Sequence, residues 1–374
     1  AAAAASADSA GGRPAQDAAG ARPVSRLVDT PRKRVLVIAL GCWLVTLGLL
    51  QVISVPYVRL APGPVFNVLG DVDGQSLITV EGAKTYSTTG QLDMTTVSER
   101  GGPYGGLTLL EAFTGWLDPN VAVVPTDLLY APQTTADQAE QVGADQFTDS
   151  QEKARIAALR EVGEPVATRP WVQQVLPDSP AEGELQHGDV VMAVNGQTVT
   201  EPKEIARIVK KAGPGAQVTL DLRRDGQDKS VTVTTAANPV DASQGYLGLS
   251  LGVLADSPVK VDFHFDEVGG PSAGLVFSLG IVDKLTPGNL LDGRLVAGTG
   301  TMDYDGTVGP IGGIAQKMAA ARANGAVLFL APESNCGEIA GATPDGLTVA
   351  AVSSLGEAVD VLEGRIEPPA CPVA

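Results

Sequence analysis

Gly269-Gly270-Pro271-Ser272-Ala273-Gly274-Leu275-Val276-Phe277-Ser278-Leu279-Gly280-Ile281-Val282 is a glycine-proline turn that opens into an apolar run. Glycine lets the backbone turn tightly and lets another chain come close. Pro271 suits the first turn of a helix, where its missing N–H costs nothing. The pattern predicts a helix with Ser272 at its N-terminus. Free amides and the positive end of the helix dipole favour an oxyanion there, and acyl transfer needs that electrostatic support. From these residues alone, a glycine turn followed by a capping serine reads equally well.

A second segment, Pro310-Ile311-Gly312-Gly313-Ile314-Ala315-Gln316-Lys317, leads into a helix expected over 314–323 and stopped by Asn324-Gly325. Ile314, Met318 and Ala321 form an apolar stripe at helical spacing, and Lys317 falls on it. A lysine that faces inward loses solvation and its pKa drops toward neutrality. A neutral amine can then take the proton of a serine hydroxyl. The alternative is a lysine snorkelling from the edge of the stripe. The chain has two histidines, His187 and His264. His264 sits in the alternating run Val261-Asp262-Phe263-His264-Phe265 and is read as facing outward.

Together the two segments resemble the Lon-type Ser-Lys peptidase domain. That family carries a Gly-Pro-Ser-Ala-Gly nucleophile motif and, some forty residues later, Pro-Ile-Gly-Gly with a lysine four residues on. The resemblance covers roughly residues 244–365. It implies Ser272 as nucleophile, Lys317 as general base, backbone amides around Gly270 and Ala273 as oxyanion donors, and no cofactor. Ala297-Gly298-Thr299-Gly300-Thr301-Met302 is similar to the strand and turn before the lysine segment, which implies that Thr299 orients Lys317. One departure stands out. The acidic residue that family members often carry just before Gly-Pro-Ser is Gly269 here, and Glu267 is not assigned its role.

Other chemistries lack their residues. No Gly-x-x-x-x-Gly-Lys-Ser/Thr occurs, so the ATPase motor of full Lon proteins is missing. There is no His-Glu-x-x-His, and Cys42, Cys336 and Cys371 have no zinc-ligand spacing, so no metal is expected. Asp303-Tyr304-Asp305-Gly306 reads as a hairpin turn. The formal charge of −17 argues against nucleic acid as a partner.

Residues 1–34 are rich in Ala, Gly and Ser and read as a disordered cytoplasmic tail. Residues 35–55 run without a charge, long enough for a transmembrane helix. Arg22, Arg26 and Arg32-Lys33-Arg34 precede the run and Arg59 follows it, so the positive-inside rule puts residues 56–374 outside the membrane. A cleaved signal peptide would have a shorter core and a small-residue site, and Ser54-Val55-Pro56-Tyr57 is a poor one. A lipoprotein signal at Cys42 is disfavoured because the apolar run continues past it. This topology places Cys336 and Cys371 in an oxidising compartment, and a disulfide between them is expected.

Residues 166–238 carry another pattern. Trp171-Val172-Gln173-Gln174-Val175 alternates as a strand, Gly188-Asp189 opens a buried strand closed by Asn195-Gly196, and residues 202–211 form an amphipathic helix with Ile205 and Val209 on one face. Strands around Asp225-Gly226 complete a unit that looks like a bacterial PDZ domain. The resemblance implies a peptide groove between Trp171, Val172, Val175 and that helix, with protein or peptide substrates as partners. A closed or purely structural groove is the alternative. Gly90 to Val97 reads as a strand, and a helix is expected to open at Thr148 and end near Gly163.

The expected fold class is α+β. An N-terminal transmembrane helix is followed by a Lon-type peptidase domain, 56–165 and 239–366, with the PDZ unit inserted and a tail at 367–374. The arrangement resembles the membrane-anchored PDZ–Lon peptidases of Gram-positive bacteria, the YlbL-like family. It implies an ATP-independent serine endopeptidase, bilayer contact through residues 35–55 and a homo-oligomeric ring. A non-catalytic PDZ scaffold is the rival reading. A tail-specific protease is less consistent, since Pro-Ile-Gly-Gly has no place in one.

Overall fold

The computed structural model describes residues 30–72, 74–265 and 268–371. The expectations for residues 1–29, Glu267 and the last tail residues lie outside them. The chain divides into two compact units, residues 1–53 and 54–374.

In the first unit, helix α1 (Pro31–Val52) is capped by Thr30, whose side chain accepts from the Lys33 amide, and has Pro31 at its first position. It is long and apolar enough to cross a membrane and none of it is buried. The apolar run was expected to continue as helix to residue 55. Instead the helix stops at Val52, and Ser54–Val55 is a strand of the second unit.

The second unit mixes helix and strand. Ser54–Val55 (β1) is followed by β2 (Tyr57–Asn67), β3 (Ile78–Glu81) and β4 (Gln91–Gly101). Next come β5 (Leu107–Thr108), α2 (Leu109–Leu117), β6 (Ala122–Pro125) and α3 (Ala136–Glu161). The helix expected to open at Thr148 thus begins twelve residues earlier. Thr135 and Gln138 form a reciprocal capping box there. Thr148 lies mid-helix, its hydroxyl donating back to the Ala144 carbonyl.

The next strands are β7 (Ala167–Val175) and β8 (Val190–Val194), then helix α4 (Pro202–Ala212), then β9 (Gln217–Arg224), β10 (Gln227–Thr234) and β11 (Leu249–Asp256). They form a sheet in the order β10–β9–β8–β7–β11. Positive φ at Asn195 and Gly196, and at Asp225 and Gly226, fits the tight hairpin turns read from the sequence. This sheet has its own core, with Val172, Val191, Val194, Leu220 and Ile205 buried together. It extends to Asp256, past the boundary at 238, because β11 pairs with the whole length of β7.

The remaining elements are β12 (Lys260–Phe263), α5 (Gly274–Leu285), β13 (Leu295–Gly298), the hairpin β14 (Thr301–Met302) and β15 (Val308–Gly309), α6 (Ile314–Ala323), β16 (Leu328–Pro332), β17 (Thr348–Val352) and α7 (Leu355–Leu362). A second sheet has the order β17–β16–β13–β4–β2–β6. It joins strands from both sides of the β7–β11 unit: Gln91 to Met94 of β4 pair in parallel with Leu295 to Gly298 of β13. Helix α5 is buried from Gly274 to Asp283, as its almost uniformly apolar sequence requires. From within β17 the Ala351 amide donates to the Pro369 carbonyl, and Cys371 is disulfide-bonded to Cys336 with Cα atoms 5.2 Å apart.

Candidate active site

Lys317 Nζ lies 2.7 Å from Ser272 Oγ and 3.0 Å from Thr299 Oγ1. The three side chains come from α6, from the loop before α5 and from the end of β13, so the parallel sheet is what brings them together. Thr299 Oγ1 donates in turn to the Ser272 carbonyl at 3.0 Å, and the Gly300 amide donates to the same oxygen at 2.9 Å. One threonine therefore ties the lysine to the backbone of the serine.

Lys317 is 3% exposed, and burial pushes its ammonium pKa down to about 7. Gln316 beside it is buried too, so α6 is enclosed more widely than the stripe of Ile314, Met318 and Ala321 suggested. A neutral lysine here accepts the Ser272 proton through its lone pair while donating to Thr299. The geometry suits a nucleophile with its base in reach and the base oriented by a third group.

Ser272 stands two residues before the helix it was expected to start. α5 begins at Gly274, with Ala273 as its cap, so Pro271 is in the preceding turn rather than the first helical turn. Gly274 has to be small: a Cβ there would come within 2.7 Å of Met302 Cβ. Gly270 is not a free oxyanion donor, because its amide already donates to the Gly143 carbonyl at 2.9 Å. The Ser272 and Ala273 amides have no backbone acceptor among the described residues.

Two supporting residues were missed in the sequence. Ser150 of α3 is 2% exposed and donates to the Pro271 carbonyl at 3.0 Å. Asn335 closes a two-way hydrogen bond with the backbone of Ile311, which fixes the loop before α6. Neither has a local signal, since each acts on a segment remote in sequence. Of the histidines, His264 meets Thr79 through its ring, and His187 stacks edge-on against Trp171. No cluster of His, Cys, Asp and Glu suited to a metal occurs among the described residues.

The dyad opens into a cavity of about 690 Å³ lined by Leu60, Phe66, Met94, Val97, Val268 and Ile311 besides Ser272 and Lys317. β4 pairs with β13 only as far as Met94, so Thr95 to Ser98 present an open strand edge to this cavity.

The expected peptide groove beside Trp171, Val172 and Val175 is corrected by the sheet order. Both edges of β7 are taken, one by β8 and the other by β11, from Leu249↔Val175 to Asp256↔Ala167. The terminal strand of that sheet beside α4 is β11. Ile205 and Val209 do face this core, packed with Leu247, Leu249 and Leu251.

Residues 256–363 match the family of the Lon protease (S16) C-terminal proteolytic domain, and residues 171–224 match the PDZ domain family. The chain carries a PDZ domain and a Lon-type proteolytic domain, with a candidate membrane span near its N-terminus.

Among curated proteins it is similar to probable periplasmic serine endoproteases, DegP-like. One from Marinomonas sp. is 34% identical over 101 residues, 24% of this chain and 22% of the relative. One from Brucella suis is 40% identical over 65 residues, 17% of this chain and 13% of the relative. The chain thus spans less than a quarter of the length of these relatives. Among solved structures, the PDZ domain of an SdrC-like protein from Listeria innocua aligns with 22% of this chain and 92% of its own, at 20% identity and a TM-score of 0.21.

Proposed function

We propose that the protein is a membrane-anchored, ATP-independent serine endopeptidase that cleaves extracytoplasmic or membrane-tethered proteins. The observation that carries this is the buried Lys317 amine, with its pKa near 7, 2.7 Å from Ser272 Oγ. Ser272 Oγ attacks the scissile carbonyl while its proton passes to Lys317 Nζ. The Ser272 and Ala273 amides hold the oxyanion. Collapse breaks the C–N bond as Lys317 returns the proton to the leaving amine, leaving an acyl ester on Ser272. Water, deprotonated by Lys317, then hydrolyses that ester. Thr299 keeps Nζ aimed at Oγ throughout. An extended substrate pairs with the open edge of β4 at Thr95 to Ser98, which brings its carbonyl to Ser272.

The PDZ domain recruits or gates substrate, and its groove lies on β11 beside α4 rather than on β7. The Lon-type domain is split into an N-terminal part and a catalytic part, with the PDZ unit inserted. The sheet that pairs β4 with β13 supports that reading. α1 is the anchor, with the domains outside the membrane. Protease added to intact spheroplasts is expected to digest residues 54–374, and protection of that unit would reverse the orientation.

The test is to trap the acyl ester. Rapid acid quenching of the full chain with an activated ester, followed by mass spectrometry, is expected to place the acyl group on Ser272 and to lose it in Lys317→Ala. Absence of any acyl-Ser272 would leave the binding scaffold as the better reading.

A further inference from the structure

Helix α2 is inside out. Its sequence is Leu109-Leu110-Glu111-Ala112-Phe113-Thr114-Gly115-Trp116-Leu117, and the residues it buries are the small ones, Ala112 and Gly115. Gly115 packs so close to β6 that a Cβ would come within 2.7 Å of Val123 Cγ2. Phe113, Trp116 and Leu117 point outward, 54%, 56% and 69% exposed. An ordinary surface helix does the opposite and turns its apolar stripe to the core. The exposure is also concentrated. Tyr104, Phe113, Trp116, Leu117, Leu128 and Leu129 all fall within one short stretch of chain, whereas the other exposed apolar side chains of this unit stand singly.

Chain connectivity says what covers this face. α1 ends at Val52, and Ser54 already pairs with Thr108, the residue that caps α2. Two residues of extended chain span at most about 7 Å, and paired strands lie about 5 Å apart. The cap of α2 is therefore tied by strand pairing to Ser54, two residues along the chain from the last residue of α1. Leu128 is held to the same place, since the Thr126 amide donates to the Pro56 carbonyl. Trp116 packs edge-to-face on Tyr57, a Trp-Tyr pair of the kind enriched at membrane–water interfaces.

Resting on the reading of α1 as a membrane anchor, we propose that α2 lies in the bilayer interface. Phe113, Trp116 and Leu117 then sit in the lipid, and the peptidase domain has a second point of contact with the membrane. A helix held parallel to the surface, with its aromatic face submerged, restricts how the domain can tilt about its anchor.

Lipid-quenching fluorescence on the full chain in phosphatidylcholine–phosphatidylglycerol vesicles tests this. The chain has three tryptophans, Trp43, Trp116 and Trp171. In a Trp43→Phe, Trp171→Phe variant only Trp116 emits. Lipids brominated near the headgroup end of the acyl chain are expected to remove roughly half of that emission, and lipids brominated near the bilayer centre less, for a ring about 5–10 Å deep. Adding Phe113→Glu and Leu117→Glu, both at exposed positions, is expected to abolish the quenching.

A companion variant that keeps only Trp43 reports on the anchor itself. If Trp43 is quenched by centre-brominated lipid and Trp116 by neither, the α2 proposal fails while the anchor stands. If Trp43 is not quenched, the anchor reading fails and takes this proposal with it. If Trp116 stays unquenched and Phe113→Cys cross-links to a second copy, the face joins protomers instead, which overturns the proposal.

Discussion

The two sheets of the second unit solve opposite problems. The PDZ sheet uses only residues between Ala167 and Asp256, and the one carboxylate it buries completely, Asp189, is paired with Arg224. The Lon-type sheet draws strands from Tyr57 to Val352 and buries polar groups at its centre, Lys317 and Thr299 among them. An apolar core supports folding and binding at its edge. A core that holds a desolvated lysine gives up stability to keep an amine neutral near pH 7. The contrast teaches that the cost of burying an amine is concentrated in one half of the unit, so the two halves should fail differently when altered.

The largest expected effect is on chemistry. Ser272→Ala and Lys317→Ala should each lower peptide cleavage by about 10³-fold or more, and the double variant should be no worse, since the two act as one group. Calorimetric binding of a peptide to the PDZ domain should not change. Loss of that binding in Ser272→Ala would break the division between the halves.

The second effect is on stability and runs the other way. The folded pKa of Lys317 is held below its unfolded value. Between about pH 7 and pH 10.5 the unfolded chain therefore binds more protons, and stability rises with pH across that window. Lys317→Met removes the buried amine. It should stabilise the inactive protein by a few kcal/mol near pH 7, with the gain shrinking toward pH 10.5, as read from thermal melts. Wild-type activity should climb through a midpoint near pH 7 and level off above it. A melt of Lys317→Met unchanged at every pH would mean that the lysine is not desolvated.

A third effect separates the modules. Ala167 and Asp256 are paired across β7 and β11, so the PDZ unit enters and leaves at neighbouring points. Replacing residues 168–255 by a short glycine-serine linker should reduce cleavage of a small peptide by less than about tenfold, while processing of a tethered protein falls further. Equal loss on both would mean that α3, which packs on β11 and also holds the Ser272 loop through Ser150, needs the PDZ sheet to stay in place.

The smallest effect is at the edge. Cys371→Ser should cost about 4 kcal/mol by loop entropy, seen as a lower melting temperature with cleavage retained.

The meeting of Ser272 and Lys317 was legible because both sit in short motifs with fixed spacing, and the PDZ hairpins because Asn195-Gly196 and Asp225-Gly226 carry their own turn chemistry. What was not legible depends on long-range pairing. The groove was assigned to β7 because nothing local says that Leu249 to Asp256 returns to cover that edge. The start of α3 was missed because the polar turns from Ala136 onward have no apolar stripe, and only the Thr135–Gln138 box marks their beginning. Gly270 looked like an oxyanion donor until Gly143, on a distant helix, took its amide.

The parallel pairing of Gln91 with Leu295 also sets a timetable. As the chain is synthesised, the PDZ sheet has all of its strands once Asp256 has emerged, and it can close early. β4 must wait for β13, and the lysine helix comes later still. Non-local pairing of this kind forms slowly and late. Ser272, Thr299 and Lys317 therefore meet only near the end of assembly, so on the proposed mechanism a half-made chain would hold Ser272 without Lys317 and could not yet cleave its neighbours or itself.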